Sequence, residues 1–380
     1  MDFQGARLRE IREARGLAGS ELSEMLNVKR QSISNYELGK QIPPIDTISK
    51  MAFFLRVPTS FFYTPKSDIQ HSVVFFRSLH STTKTARTVA IKKLEWLKLL
   101  VGYLTRHLSL PLVNMPKVEV GSILEIDEIV IENLASEVRL KWDLGFTPID
   151  NLMIAVESNG GIITRGYLAT TSLDALSEWS HSEERPYFFL NADKESAVRS
   201  RFDLAHELGH MLLHRDMAIS KFNRPEIFSM VEKQAHRFAA SLLLPASDFV
   251  NDLQDFSLDH FVDLKSKWKT SVGMMIKRVS DLGLIDDVQE TRLWKNYARR
   301  GWKVKEPLDN VLPIETPMLL QECFELFKKH DLIRLNDLSD ILPLFPSELE
   351  KIGNLEEGFF ASSIQGLSGK IIIKPIVNDN

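Results

Sequence analysis

Cysteine is nearly absent from this chain of 380 residues: Cys323 stands alone, which excludes an intramolecular disulfide. Long hydrophobic runs are missing as well, and Met1-Asp2-Phe3-Gln4-Gly5 does not open a signal peptide. A cytoplasmic protein without a membrane partner is the simplest expectation. Excess charge of either sign is lacking too. A formal net charge of -4 rules out a uniformly basic coat for nucleic acid, so any DNA contact must be local. There is no internal repeat, no low-complexity tract and no phosphate-binding glycine loop. What remains, with 44% hydrophobic residues, is material for two or three domains with proper cores.

The first sixty-odd residues are punctuated as short helices. Leu8, Ile11 and Ala14 mark one face of a helix that ends near Gly16, and residues 20–26 make a second. Asn27-Val28 then turns the chain into Lys29-Arg30-Gln31-Ser32-Ile33-Ser34-Asn35-Tyr36-Glu37, which Gly39 terminates; Pro43-Pro44 precedes a fourth helix. This is helix-turn-helix spacing. A recognition helix needs short polar and basic side chains at its N-terminal end, where they reach base edges in the major groove. Arg30, Gln31, Ser32 and Asn35 meet that need, while Ile33 and Tyr36 should face the core. The plainer alternative is a helical bundle with a solvated polar face. The run Ile33-Ser34-Asn35-Tyr36-Glu37-Leu38-Gly39-Lys40, with its preceding turn, resembles the XRE (Cro/CI-type) repressor domain over about sixty residues. Where those domains often begin the second helix with Thr-Gln, this chain has Ala18-Gly19, which removes one expected phosphate contact.

Residues 201–214 carry the chemistry. His206-Glu207-Leu208-Gly209-His210 is an H-E-x-x-H motif in a helical context. Residues four apart share a helix face, so both imidazoles can address one metal with Glu207 beside them. Catalytic zinc takes three protein ligands and keeps a fourth position open for water. Glu207 is the candidate general base. A third ligand is needed, and Glu232, lying 22 residues after His210 in a helix that Pro245 stops, is the best candidate. His236, one turn on along the same face, is the rival ligand or a supporting residue behind the metal. His214 is roughly 12 Å of helical rise from His206, too far to share an ion with it, and should be structural or support a ligand from behind. Alone, H-E-x-x-H also arises by accident. Here an apparent strand over residues 185–191 precedes it and a glutamate-bearing helix follows, which favours zinc.

The run 201–210, followed by Glu232-x-x-Ala235-x-x-Phe238-Ala239-Ala240 and Leu243-Leu244-Pro245, resembles the ImmA/IrrE family of metallopeptidases. The resemblance implies a thermolysin-like zinc core in which His206, His210 and Glu232 hold Zn²⁺ and Glu207 is catalytic. It also implies a protein substrate, often itself a helix-turn-helix repressor. This chain departs from the family at His236, where asparagine is usual.

The expected fold is multidomain and mainly α, with an α+β zincin-like core. An all-α helix-turn-helix bundle fills residues 1–64, and a connector with a basic amphipathic helix fills 65–116. A small mixed sheet with the H-E-x-x-H helix occupies 117–250, and a helical C-terminal extension runs over 251–380. In the connector, residues 77–107 hold seven lysines and arginines against one acid, Glu95, with Leu94, Leu97, Val101 and Leu104 as the apolar stripe. Packing on a neighbouring domain is its plain reading; phosphate contact or docking of an anionic signal is the alternative. Cys323 sits in an amphipathic pattern and should be core. A short terminal strand is expected over 370–374.

The whole is read as a cytoplasmic regulator that holds double-stranded operator DNA as a homodimer. Its built-in zinc endopeptidase, latent until signalled, would cleave a repressor and release stress or mobile-element and phage-related genes. Two other readings stand beside it: a non-proteolytic transcription factor whose zincin domain is structural or ligand-sensing, and a self-processing protein that cuts its own connector near 64–83.

Overall fold

The computed structural model describes residues 2–67, 69, 72–76, 83–119, 122–167, 173–193, 196–217, 224–333 and 335–361. The strand expected at 370–374 lies outside the described residues. The chain divides into two compact units, one formed by Met1–Asp68, Ile91–Leu108 and Leu320–Asn380, the other by Ile69–Ala90 and Ser109–Leu319. Residues 251–319 therefore group with the sheet-bearing unit, and the chain from Leu320 onward groups with the N-terminal bundle.

In the first unit, α1 (Gly5–Ala14), α2 (Gly19–Met25), α3 (Arg30–Glu37) and α4 (Ile45–Leu55) follow the punctuation of the sequence. Ile33 and Tyr36 are buried on the inner face of α3, and Arg30 and Gln31 are exposed on the outer one. Gly5 is required where α1 crosses α3, because a Cβ there would stand 2.1 Å from the Tyr36 carbonyl oxygen. Gly39, at φ +67°, turns the chain out of α3. On the far side of α1, Glu10 accepts from Arg7 and from the indole Nε1 of Trp96 at 2.9 Å, and Arg15 binds both carboxylate oxygens of Glu348. Trp96 belongs to α5 (Lys84–Leu104) and Glu348 to α16 (Pro346–Ile352), so helices from three stretches of sequence share this core. Within α5, Leu94, Trp96, Leu97, Leu100, Val101 and Leu104 are fully buried, and even Lys98 is only 7% exposed. The basic helix is a core element of the unit. Cys323, on α14 (Leu319–Lys329), is buried beside Phe324 as the amphipathic pattern requires.

The second unit is built on a four-stranded mixed sheet. Strands β1 (Val74–Phe76), β2 (Ile162–Gly166), β3 (Ala175–Ser180) and β4 (Arg185–Asn191) lie in the order β1-β3-β4-β2. β2 runs parallel to β4, while β3 is antiparallel to both β4 and β1. All six residues of β3 are buried, which hides the in-out alternation by which a half-exposed strand is recognised. α6 (Glu128–Lys141) and α7 (Leu152–Ser158) lie between β1 and β2 in the chain, and Asp127 and Asn151 cap their N-termini through their side chains. After β4 come α8 (Ala197–Leu213) and α9 (Pro225–Leu243), the most closely packed helix pair of the unit. α11 (Leu258–Trp268), α12 (Val272–Asp281) and α13 (Asp287–Arg299) complete it after the short α10 (Ala246–Asn251). Among the described residues, no helix is long and apolar enough to cross a membrane.

Candidate metal centre

Two helices and one strand assemble the site. α8 presents His206, Glu207 and His210, all essentially without solvent exposure, and α9 presents Glu232. The close approach of these helices depends on Gly209, within the motif itself. A Cβ there would lie 3.1 Å from Phe238 and 3.3 Å from the Ala235 backbone, tighter than a well-packed contact.

The Nε2 atoms of His206 and His210 are 3.0 Å apart. The Glu232 carboxylate lies 3.5 Å from the first and 3.4 Å from the second. Among the described residues these three form the cluster whose ligand atoms fall within 4.8 Å of one another. Two imidazole nitrogens and one carboxylate converging from two helices are the donor set and spacing of a site for zinc with a position left open. Burial alone would raise the pKa of Glu232; the neighbouring imidazoles of His206 and His210 outweigh burial and hold the carboxyl below the usual range. The site is therefore built to keep Glu232 anionic.

A chain of buried hydrogen bonds determines which His210 nitrogen faces the cluster. The Gln234 amide nitrogen donates to the carbonyls of Ile123 and Ile126 at 3.1 and 2.8 Å, so its oxygen turns toward His214 Nε2, 3.0 Å away. That oxygen can only accept, and His214 Nε2 must carry a proton. Burial, reinforced by the neighbouring His210, pushes the His214 pKa down to about 3, so the ring is neutral at pH 7 and its Nδ1 is an acceptor. His210 Nδ1, 3.1 Å away, is then the donor, and His210 Nε2 keeps its lone pair for a metal. Gln234→Leu is expected to weaken zinc binding about 10–100-fold, the usual effect of losing such a partner. Competition with a chelating dye measures it, and unchanged affinity would show that the relay does not orient His210.

Glu207 is fully buried, and Ser177 Oγ on β3 donates to its Oε2. Neither Ser177 nor Gln234 was found from sequence. A lone serine in a strand carries no signal, although Gln234, two residues after Glu232 on a helix returning to the motif, could have been asked for a partner. His236 is exposed; its ring stacks on Phe202 with centroids 5.4 Å apart and lies 4.5 Å from that of His206. His214 stands behind His210 instead of beside His206. A cleft of about 1250 Å³ opens next to the centre, with Phe202, Asp203, Met230, His236 and Met274 in its walls. In the first unit, the structure places Arg30, Gln31, Ser32 and Asn35 along the first turns of α3, with Gln31 Nε2 donating to Asn35 Oδ1 at 3.1 Å.

The classes to which these parts belong follow from comparison. Residues 163–280 match the family model of the IrrE N-terminal-like domain, Peptidase_M78, and residues 8–62 match that of a helix-turn-helix domain. The chain thus joins a helix-turn-helix DNA-binding domain to a metallopeptidase-like domain of a family usually dependent on zinc. Among curated proteins, the SPbeta prophage-derived uncharacterized HTH-type transcriptional regulator YonR of Bacillus subtilis (strain 168) is 33% identical over 57 residues, or 15% of this chain. The match spans 53%, about half, of that relative's length. Among solved structures, PlcR of Bacillus thuringiensis, in complex with the peptide PapR7 and DNA, aligns with 97% of this chain and 98% of its own. At 12% identity and a TM-score of 0.16, that alignment does not establish a shared fold.

Proposed function

We propose that this protein is a DNA-binding transcription regulator with its own zinc endopeptidase. The observation that carries the reading is the convergence of His206, His210 and Glu232 with Glu207 beside them, in a chain that also has a helix-turn-helix domain. The three ligands would hold Zn²⁺, which when bound supplies Lewis-acid polarisation of the attacking water and of the scissile carbonyl. Glu207 takes up the proton released in the attack and hands it to the leaving amine. Ser177 holds one oxygen of that carboxylate and so fixes its orientation. The proposed substrate is a regulatory protein, in the first instance a helix-turn-helix repressor. Arg30, Gln31, Ser32 and Asn35 are the proposed base-reading residues, used by a homodimer that spans two operator half-sites.

The test is Glu207→Gln in cells. It is expected to abolish the induced transcriptional response while operator binding in a mobility-shift assay stays at the wild-type level. A full response from the variant would overturn the peptidase role. The broad cleft beside the centre favours a second reading, in which the domain senses a small ligand without proteolysis; that reading requires Glu207→Gln to be silent and His206→Ala to disturb the operator response.

A further inference from the structure

One strand of the sheet in the peptidase-like domain comes from outside the stretch matched to the family. The stretch matched to the family begins at residue 163 and holds β2, β3 and β4, whereas β1 comes from the connector, far upstream of it. Without β1, the order β3-β4-β2 would leave β3 as an edge with open hydrogen-bonding groups. β3 is also the strand that touches the candidate catalytic group, through the bond from Ser177 to Glu207. An extended peptide that pairs with such an edge is bound by its backbone and read by its alternate side chains.

β1 already occupies that position. It pairs antiparallel with β3, with Val74 opposite Glu178, Phe75 opposite Ser177 and Phe76 opposite Leu176. The Ser72 N–H is anchored on the Glu178 carboxylate at 2.8 Å. Phe75, opposite the serine that holds Glu207, lays its ring on the imidazole of His210, with centroids 4.8 Å apart and planes inclined by 16°, and also reaches His214 at 6.3 Å. The side chain is 5% exposed, so it closes the face of a proposed metal ligand to solvent.

We infer that residues 72–76 form an occluding strand, held on the substrate edge of β3 with Phe75 over His210. An extended peptide with a large apolar residue gains the site only by displacing it. The inference rests on the peptidase reading and supplies the latency which that reading needs. The strand is suited to this because it is short: three residues in register make few ladder bonds, so its hold depends on tethering, which acts as an effective concentration on the order of millimolar. Val73, Val74 and Phe76 are partly exposed, so much of the strand's grip comes from the single buried ring of Phe75.

The experiment uses the full chain with Glu207→Gln and a fluorescein-labelled peptide of residues 72–79, Ser-Val-Val-Phe-Phe-Arg-Ser-Leu. Fluorescence anisotropy is expected to show at least about tenfold tighter binding when Phe75→Gly is added, because the tethered competitor is weakened. A second variant, Phe76→Cys with Leu176→Cys, locks β1 onto β3 without removing the ring. Oxidised, it should bind no peptide; reduced, it should recover. Equal affinity in all three proteins would overturn the inference, as would a folded Phe75→Gly chain that binds no peptide. Cleavage of the wild-type zinc-loaded chain within its own residues 72–76 would also overturn it, since the strand would then be a substrate. If binding behaves as expected but zinc-loaded Phe75→Gly with Glu207 intact leaves the peptide uncut by mass spectrometry, the occlusion stands and the peptidase reading fails.

Discussion

Glu232→Ala is expected to leave the purified protein with almost no zinc, where the wild type and Glu207→Gln each hold roughly one per chain. The contrast separates a ligand from a base. Glu232 is held anionic beside the two imidazoles and, among the described residues, is the third member of the cluster. Glu207 lies beside the cluster without belonging to it, its carboxylate turned to Ser177. In a cleavage assay Glu207→Gln should lose about 10²–10⁴-fold in rate, the usual contribution of a general base, with its zinc in place. Elemental mass spectrometry of the three proteins decides the ligand assignment. Full zinc in Glu232→Ala would remove Glu232 from the ligand set and turn attention to His236, whose ring lies 4.5 Å from that of His206.

Glu306→Ala is expected to destabilise the sheet-bearing unit by about 3–5 kcal/mol, the range for breaking a buried ion pair by removing one partner. Glu306 accepts from Lys265 Nζ at 2.6 Å, from the backbone N–H groups of Val272 and Gly273 at 2.9 and 3.0 Å, and from the Tyr297 hydroxyl at 2.9 Å. One carboxylate thus caps the N-terminus of α12, where the helix dipole favours it, and neutralises a fully buried lysine on α11. Burial, then the charge of Glu306, holds the Tyr297 pKa above its ordinary value, so the hydroxyl remains a donor. For a unit of this size the melting temperature should fall by on the order of 10 °C. Calorimetry of the metal-free protein measures it without interference from zinc. A change within about one degree would show that Asp309, 2.6 Å from Lys265 Nζ, replaces Glu306 unaided.

The parts whose physics is local were legible in the sequence. The helices of the N-terminal bundle end where Gly16 and Gly39 require, and the apolar positions 33 and 36 of α3 fall inward because 3.6 residues make a turn. H-E-x-x-H on one helix face places two imidazoles together for the same reason, so His206 and His210 were legible in five residues. Glu232 was reachable because the 22 residues after His210 leave room for a turn and a returning helix, which Pro245 then stops. Strand β3 was not legible: a strand buried on both faces loses the alternation that marks it, and Ser177 was lost with it. The apolar stripe of the basic helix was legible as a packing face; that Trp96 and even Lys98 are buried with the leucines, in the same unit as the N-terminal bundle, was not.

By itself, then, the sequence determined most element types, the outer face of α3 and the two helices that carry the candidate ligands, because propensity, capping and helical period act over a few residues. Only the tertiary structure decided that Gln234 and His214 orient His210, that Glu306 holds α12, and that Phe75 lies over the metal cluster. Apart from His210 with His214, four residues apart, those pairings join residues 20 to 135 positions apart, and no short-range pattern encodes them. They follow from burial: a polar group taken out of water must find its partner wherever the fold brings one, and an open sheet edge takes whichever strand can reach it.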